Sequence, residues 1–153
     1  MSDWRLTPQN TALVVVDVQE KLMAVMQRRE ETIAGIIKLI SAARVMQIPV
    51  VLAAQYVKGL GPVCPEILAA APEVTLLEKL TFSCRDSPAL FQAVKTLGRQ
   101  RLLVCGVEAH VCVQQTAIDF LNDYFVYVPA DAVCSRKDLD GMWRCNECMI
   151  AAR

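Results

Sequence analysis

Three features of the sequence predict an α/β fold: a three-layer α/β/α sandwich around a doubly wound parallel sheet of five strands. Short, continuous apolar runs alternate with segments of helical period. The runs are rich in β-branched residues and do not alternate with polar ones, as befits strands covered on both faces. Strands so joined by helices form βαβ units with right-handed crossovers.

The elements follow in order. Thr11 to Val16 (TALVVV) is a buried strand stopped by Asp17. Ile33, Ile36, Ile37 and Ile40 recur at helical spacing and predict a helix over residues 31–47. Pro49 to Ala54 is a second strand, with the proline at its entry, where a missing N–H does little harm. Gly59, Gly61 and Pro62 read as a loop, and Val74 to Leu77 as a third strand ending near Lys79. Ser87-Pro88 is an N-cap followed by a first-turn proline, and Gly98 marks that helix's end. Arg101 to Cys105 is a fourth strand, closed by Gly106. A helix from about Ala109 buries Val113, Ala117, Phe120 and Leu121, and Tyr124 to Val128 is a fifth strand. A last helix is expected from about Asp138, with Met142, Cys145 and Met149 inward.

The 153 residues are one domain's worth, and no second domain or internal repeat is visible. Sixteen basic residues balance sixteen acidic ones, so nothing favours nucleic acid as a partner. At 54% hydrophobic residues, intrinsic disorder is excluded. No run reaches the roughly 18 apolar residues of a membrane span, and the start lacks a signal-peptide pattern. Seven cysteines, an odd number, point to reduced thiols and a cytoplasmic location.

Ligands of open parallel sheets bind beyond the carboxyl ends of the strands. Asp17 directly follows strand one, Lys79 follows strand three, and Cys112 lies in the first turn after strand four. An acid, a base and a thiol from distant segments therefore share one sheet edge. A helix N-terminus and a lysine both favour a thiolate over a thiol, whose unperturbed pKa is about 8.5. A carboxylate can take the thiol proton and later deliver it to a leaving group. Backbone N–H groups between Gly106 and Cys112 can hold an oxyanion. Each residue alone has an ordinary structural reading: an Asp after a strand caps helices, and a buried Cys is a small hydrophobe. Their shared location is what argues for chemistry.

Leu13 to Gln19 (LVVVDVQ), Glu78 to Cys84 (EKLTFSC) and Cys105 to Ala117 (CGVEAHVCVQQTA) resemble the isochorismatase-like cysteine hydrolases, a superfamily that includes nicotinamidase and N-carbamoylsarcosine amidohydrolase. Gln55 to Glu66 is similar to its isochorismatase domain-containing branch. The resemblance implies an Asp17–Lys79–Cys112 triad: Cys112 as nucleophile, Asp17 as general base and acid, Lys79 as the group that lowers the thiol pKa and orients the pair. It implies a cis Val107–Glu108 bond that aims the N–H groups of Glu108 and Cys112 at the oxyanion. Attack on an amide-like carbonyl would give a thioester that water hydrolyses. Isochorismatase itself lacks the cysteine, so Cys112 favours C–N over ether cleavage. The resemblance also implies a homo-oligomer and a sixth strand at the end, which this sequence, stopping at Arg153, does not show.

Nicotinamidases carry an Asp/His metal cluster after strand two. Here Gln55, Tyr56 and Lys58 stand there and His110 is the single histidine, so no metal is expected. Gly59-x-Gly61 lacks a third glycine and opens no helix, and no P-loop exists, so neither NAD nor ATP is expected as cofactor. Gln19 either binds substrate or satisfies a loop amide. Tyr56 and Phe82 are candidate pocket walls for a small-molecule substrate, while Met23 and Met26 read as packing. Cys145 and Cys148 have C-x-x-C spacing but no further ligands, which favours a structural role over zinc or redox chemistry. The rival reading is a non-enzymatic binding or scaffolding protein with a vestigial site.

Overall fold

The computed structural model describes residues 4–137. The final helix expected from Asp138, with Cys145 and Cys148, lies outside them. Strands β1 (Thr11–Val16), β2 (Val50–Gln55), β3 (Leu76–Lys79), β4 (Arg101–Gly106) and β5 (Phe125–Tyr127) form one sheet. Their spatial order is β3-β2-β1-β4-β5, and every pairing is parallel. The chain winds outward from β1 through β2 to β3, then returns to the other side of β1 for β4. That reversal puts the ligand-binding crevice of such sheets at the carboxyl ends of β1 and β4.

The sheet separates two apolar layers because strand side chains alternate between faces. Leu13 and Val15 point into one layer with Ile33, Ile36 and Ile40 of helix α2 (Arg29–Val45). Ala12, Val14 and Val16 point into the other, with Leu90 and Val94 of α5 (Pro88–Thr96) and Ala117 and Phe120 of α6 (Gln114–Phe120). All six residues of β1 are buried, which explains its uninterrupted apolar run. Burying each large side chain contributes roughly 1.5–3 kcal/mol, so the middle strand anchors the sandwich.

Several details depart from the sequence expectations. The stretch around Gly59 is not plain loop: α3 (Val57–Leu60) and α4 (Pro65–Ala70) occupy it, after a short α1 (Glu20–Met23). Pro65 opens α4 at a position where its missing N–H costs nothing. Strand β3 begins at Leu76, two residues later than Val74, because its register is set by pairing Leu76 with Leu52 and Lys79 with Gln55. Ser87 stands at the start of α5 but makes no side-chain cap bond. The segment after β4 opens with a π-helical turn, Ala109–Val113, before α6 continues it. Met23 and Met26 are buried in the core, as packing residues are.

Candidate active site

Strands β1, β2 and β4 leave the sheet through residues with positive φ: Asp17 at 54°, Tyr56 at 35° and Gly106 at 120°. Such conformations cost non-glycine residues energy and gather at functional sites. Gly106 is required for a second reason. A Cβ there would lie 2.0 Å from the carbonyl oxygen of Val16, its neighbour across β1 and β4. The missing side chain lets the ends of β1 and β4 close together, and with them Asp17 and the turn bearing Cys112.

The Lys79 and Asp17 side chains are fully buried and joined by a 2.7 Å ion pair from Nζ to Oδ2. Lys79 Nζ also donates to Gln55 Oε1 at 2.7 Å and to the Thr81 carbonyl at 3.1 Å, so its three N–H donors meet three acceptors. Asp17 Oδ1 is buried and accepts no hydrogen bond of ordinary geometry among the described residues. The Cys112 thiol lies close enough to couple to that carboxylate. Carboxylate and ammonium from two distant segments thus meet, and the Cys112 thiol lies within electrostatic reach of both. Burial pushes the Asp17 carboxyl above its ordinary range, against the opposing pull of Lys79.

Burial first, and the Asp17 charge second, push the Cys112 thiol up to about 12, while Lys79 acts in the lowering direction. A sequence shows the ammonium's presence but not that another group has already neutralised it. Cys112, at 7% exposure, is nevertheless the most accessible of the five described cysteines, all of them free.

The Val107–Glu108 peptide bond is cis. The Glu108 side chain accepts from Arg136: Nη2 to Oε1 at 2.6 Å and the backbone N–H to Oε2 at 3.3 Å. Burial alone would raise this carboxyl, but the Arg136 bonds hold it below the usual range. Ser135 Oγ lies 2.8 Å from His110 Nδ1, and the Ala109 N–H donates to the Cys134 carbonyl at 2.9 Å. Residues 133–136 therefore clasp the turn that carries the nucleophile candidate. Neither this clasp nor Gln55 was foreseen, because both contacts depend on tertiary pairing and carry no spacing signal.

Gln19 fits the loop-amide alternative. It is fully buried, its Nε2 donates to the carbonyls of Gln55 (2.9 Å) and Gly61 (2.7 Å), and its Oε1 accepts from the Gln55 N–H at 2.7 Å. Tyr56 is half-exposed and lines an open cleft of about 510 Å³ with Glu78, Lys79, Leu80 and Asp86, and Phe82 is 55% exposed. Among the described residues, no group of three or more His, Cys, Asp or Glu side chains is arranged to hold a metal ion.

The isochorismatase domain family matches residues 11–149. This chain belongs to that family. It is 39% identical over 137 residues to the secreted isochorismatase effector Isc1 of Phytophthora sojae, covering 86% of this chain and 65% of that protein. It is 33% identical to isochorismatase domain-containing protein 2 of Danio rerio, covering 91% of this chain and 70% of that one. The chain thus spans less than two thirds of the first of these relatives. The structure of the MAR1 ribonuclease of Caenorhabditis elegans superposes with a TM-score of 0.84 at 36% identity, over 94% of this chain and 74% of that one.

Proposed function

We propose that this isochorismatase-family chain is a hydrolase that uses Cys112 to open a small amide or related C–N compound through a thioester, without a metal. One observation carries the reading: a buried carboxylate whose Oδ2 is bound to Lys79, whose Oδ1 has no hydrogen-bond partner among the described residues, and which lies within electrostatic reach of the Cys112 thiol. With the thiol protonated at neutral pH, attack and proton transfer are coupled. Asp17 takes the thiol proton as sulfur adds to the carbonyl carbon, and its raised affinity for protons suits that task. The carbonyl electron pair moves to oxygen, where the N–H groups of Glu108 and Cys112 are the proposed donors. Collapse expels the amine or ammonia, which receives the proton from Asp17. Water, deprotonated by the same carboxylate, then hydrolyses the thioester and regenerates the thiol. Lys79 keeps Asp17 oriented and offsets its negative charge. Tyr56 and Phe82 are proposed to flank the bound substrate.

A reducing, cytoplasmic location agrees with the free described cysteines. A homo-oligomer is proposed as well, in which the exposed Tyr56, Leu80 and Phe82 gain cover; light scattering tests it.

Ammonia or amine release from a panel of small neutral amides tests the reading. Turnover of at least one is expected, lost in Cys112→Ala and Asp17→Asn. Alkylation of Cys112 by iodoacetamide should keep rising from pH 7 to 10, because the thiol is pushed up to about 12. No turnover, with Cys112 no more reactive than Cys134, favours the vestigial binding protein instead.

A second reading, RNA cleavage, is favoured by the likeness to the C. elegans ribonuclease. The ammonium of Lys79 is already bound to Asp17, so it offers a phosphodiester little attraction. Cleavage of labelled RNA by the wild-type protein but not by Cys112→Ala would support that activity.

A further inference from the structure

Gln55 has no assigned role, yet it lies directly across the β2–β3 pairing from Lys79. Its Oε1 accepts from Lys79 Nζ at 2.7 Å, as short a contact as the one Lys79 makes to Asp17. The side-chain amide cannot turn over at no cost, because its Nε2 donates to the Leu80 carbonyl at 3.2 Å. The backbone is fixed too. Gln19 accepts from the Gln55 N–H and donates to the Gln55 carbonyl, at 2.7 and 2.9 Å. One buried side chain thus holds both backbone groups of another residue, much as a neighbouring strand does.

A lysine reaches its target on a flexible four-carbon stem and its ammonium has no directional fork, so acceptors must fix its position. We infer that Gln55, clamped by Gln19, is a positioning residue: it and the Thr81 carbonyl hold the Lys79 ammonium where it meets Asp17 and opposes the carboxylate's effect on the Cys112 thiol. The inference rests on the proposed thiol chemistry. It makes Gln19 the outer support of the same arrangement. The order is Gln19 to the Gln55 backbone, the Gln55 amide to Lys79, Lys79 to Asp17, and Asp17 to the thiol.

Inactivation kinetics with iodoacetamide test this without a known substrate. Rates at Cys112 are measured for the wild type, Lys79→Met, Gln55→Met and the double variant, with thermal melting to confirm folding. Gln55→Met keeps the side chain's length and removes the amide. It should lower the maximal inactivation rate about tenfold while leaving the half-saturating concentration unchanged, since Gln55 does not touch the reagent. The double variant should react no more slowly than Lys79→Met alone, because both changes remove one function. A Gln55 that merely supports the fold gives losses that multiply, and that result overturns the inference. So does a Gln55→Met that reacts like the wild type. Should Gln55→Met not fold, Gln55→Asn withdraws the oxygen by about one bond, ~1.5 Å, and a smaller loss in the same direction is expected. If Lys79→Met and Asp17→Asn themselves leave Cys112 unaffected, the hydrolase reading fails rather than the role of Gln55.

Discussion

Two ion pairs of similar geometry do opposite things in this molecule. Arg29 and Glu66 meet at 3.1 Å on the surface, with side chains 39% and 43% exposed. Lys79 and Asp17 meet at 2.7 Å with both side chains fully buried. The surface pair is cheap to make and cheap to lose, because water solvates either partner alone. The buried pair has given up its hydration, and removing one partner strands the other. Distance alone therefore says little about a salt bridge. The lesson is that the buried pair is kept at a cost in stability: burial raises the carboxyl of Asp17, so its ionised form opposes folding.

The sharpest way to break the contrast is Lys79→Met. Leaving Asp17 buried without a counter-charge should cost about 3–5 kcal/mol of unfolding free energy in urea, and a loss below ~1 kcal/mol would place the pair in the surface class. Asp17→Asn strands the other partner, the buried Lys79 ammonium, and should also cost about 3–5 kcal/mol at pH 7. A carboxyl whose folded pKa is raised contributes stability that is present below its unfolded value and lost as pH rises through the folded value. The amide lacks that titration, so the unfolding free energy of Asp17→Asn should change less with acid than the wild type's does. Urea denaturation across acid and neutral pH checks both points, and an Asp17→Asn protein as stable as the wild type at pH 7 contradicts the first.

Arg136 with Glu108 falls between the two classes, with side chains 53% and 10% exposed. Here the sign is reversed, since the Glu108 carboxyl is held low. Its stabilisation is present above the unfolded pKa and lost as pH falls through the folded one. Arg136→Ala should cost about 1 kcal/mol near pH 7, with the deficit fading in acid. Arg29→Ala should be the smallest change, under ~0.5 kcal/mol at moderate salt. Chemical denaturation of both across pH 3–8 would rank them.

The same division between local and tertiary effects explains what the sequence could tell. Strands β1 and β4 were legible because they are buried on both faces and so are apolar throughout. Asp17, Lys79 and Cys112 stand out as candidates because a carboxylate, an ammonium or a thiol at a strand end contrasts with such runs. Strand β3 was misplaced by two residues because its outer residues are exposed and its register is set by β2. Helices α3 and α4 were hidden behind Gly59, Gly61 and Pro62, whose usual meaning is a loop. The π turn at Cys112 escaped because one extra residue per turn leaves helical periodicity almost intact. The upward push on the Cys112 thiol is least legible of all. A thiol's charge depends on how much water its neighbours exclude, which no local motif records.

Gly106 carries a consequence for how this site can change over time. Its absent methyl sets the gap between the strand that delivers the acid and the strand that delivers the sulfur. Position 106 works as a caliper: one added carbon would spread both jaws at once. Exposed residues such as Tyr56 and Phe82 can change without altering that gap, while the jaw spacing cannot change without parting Asp17 from the turn that bears Cys112.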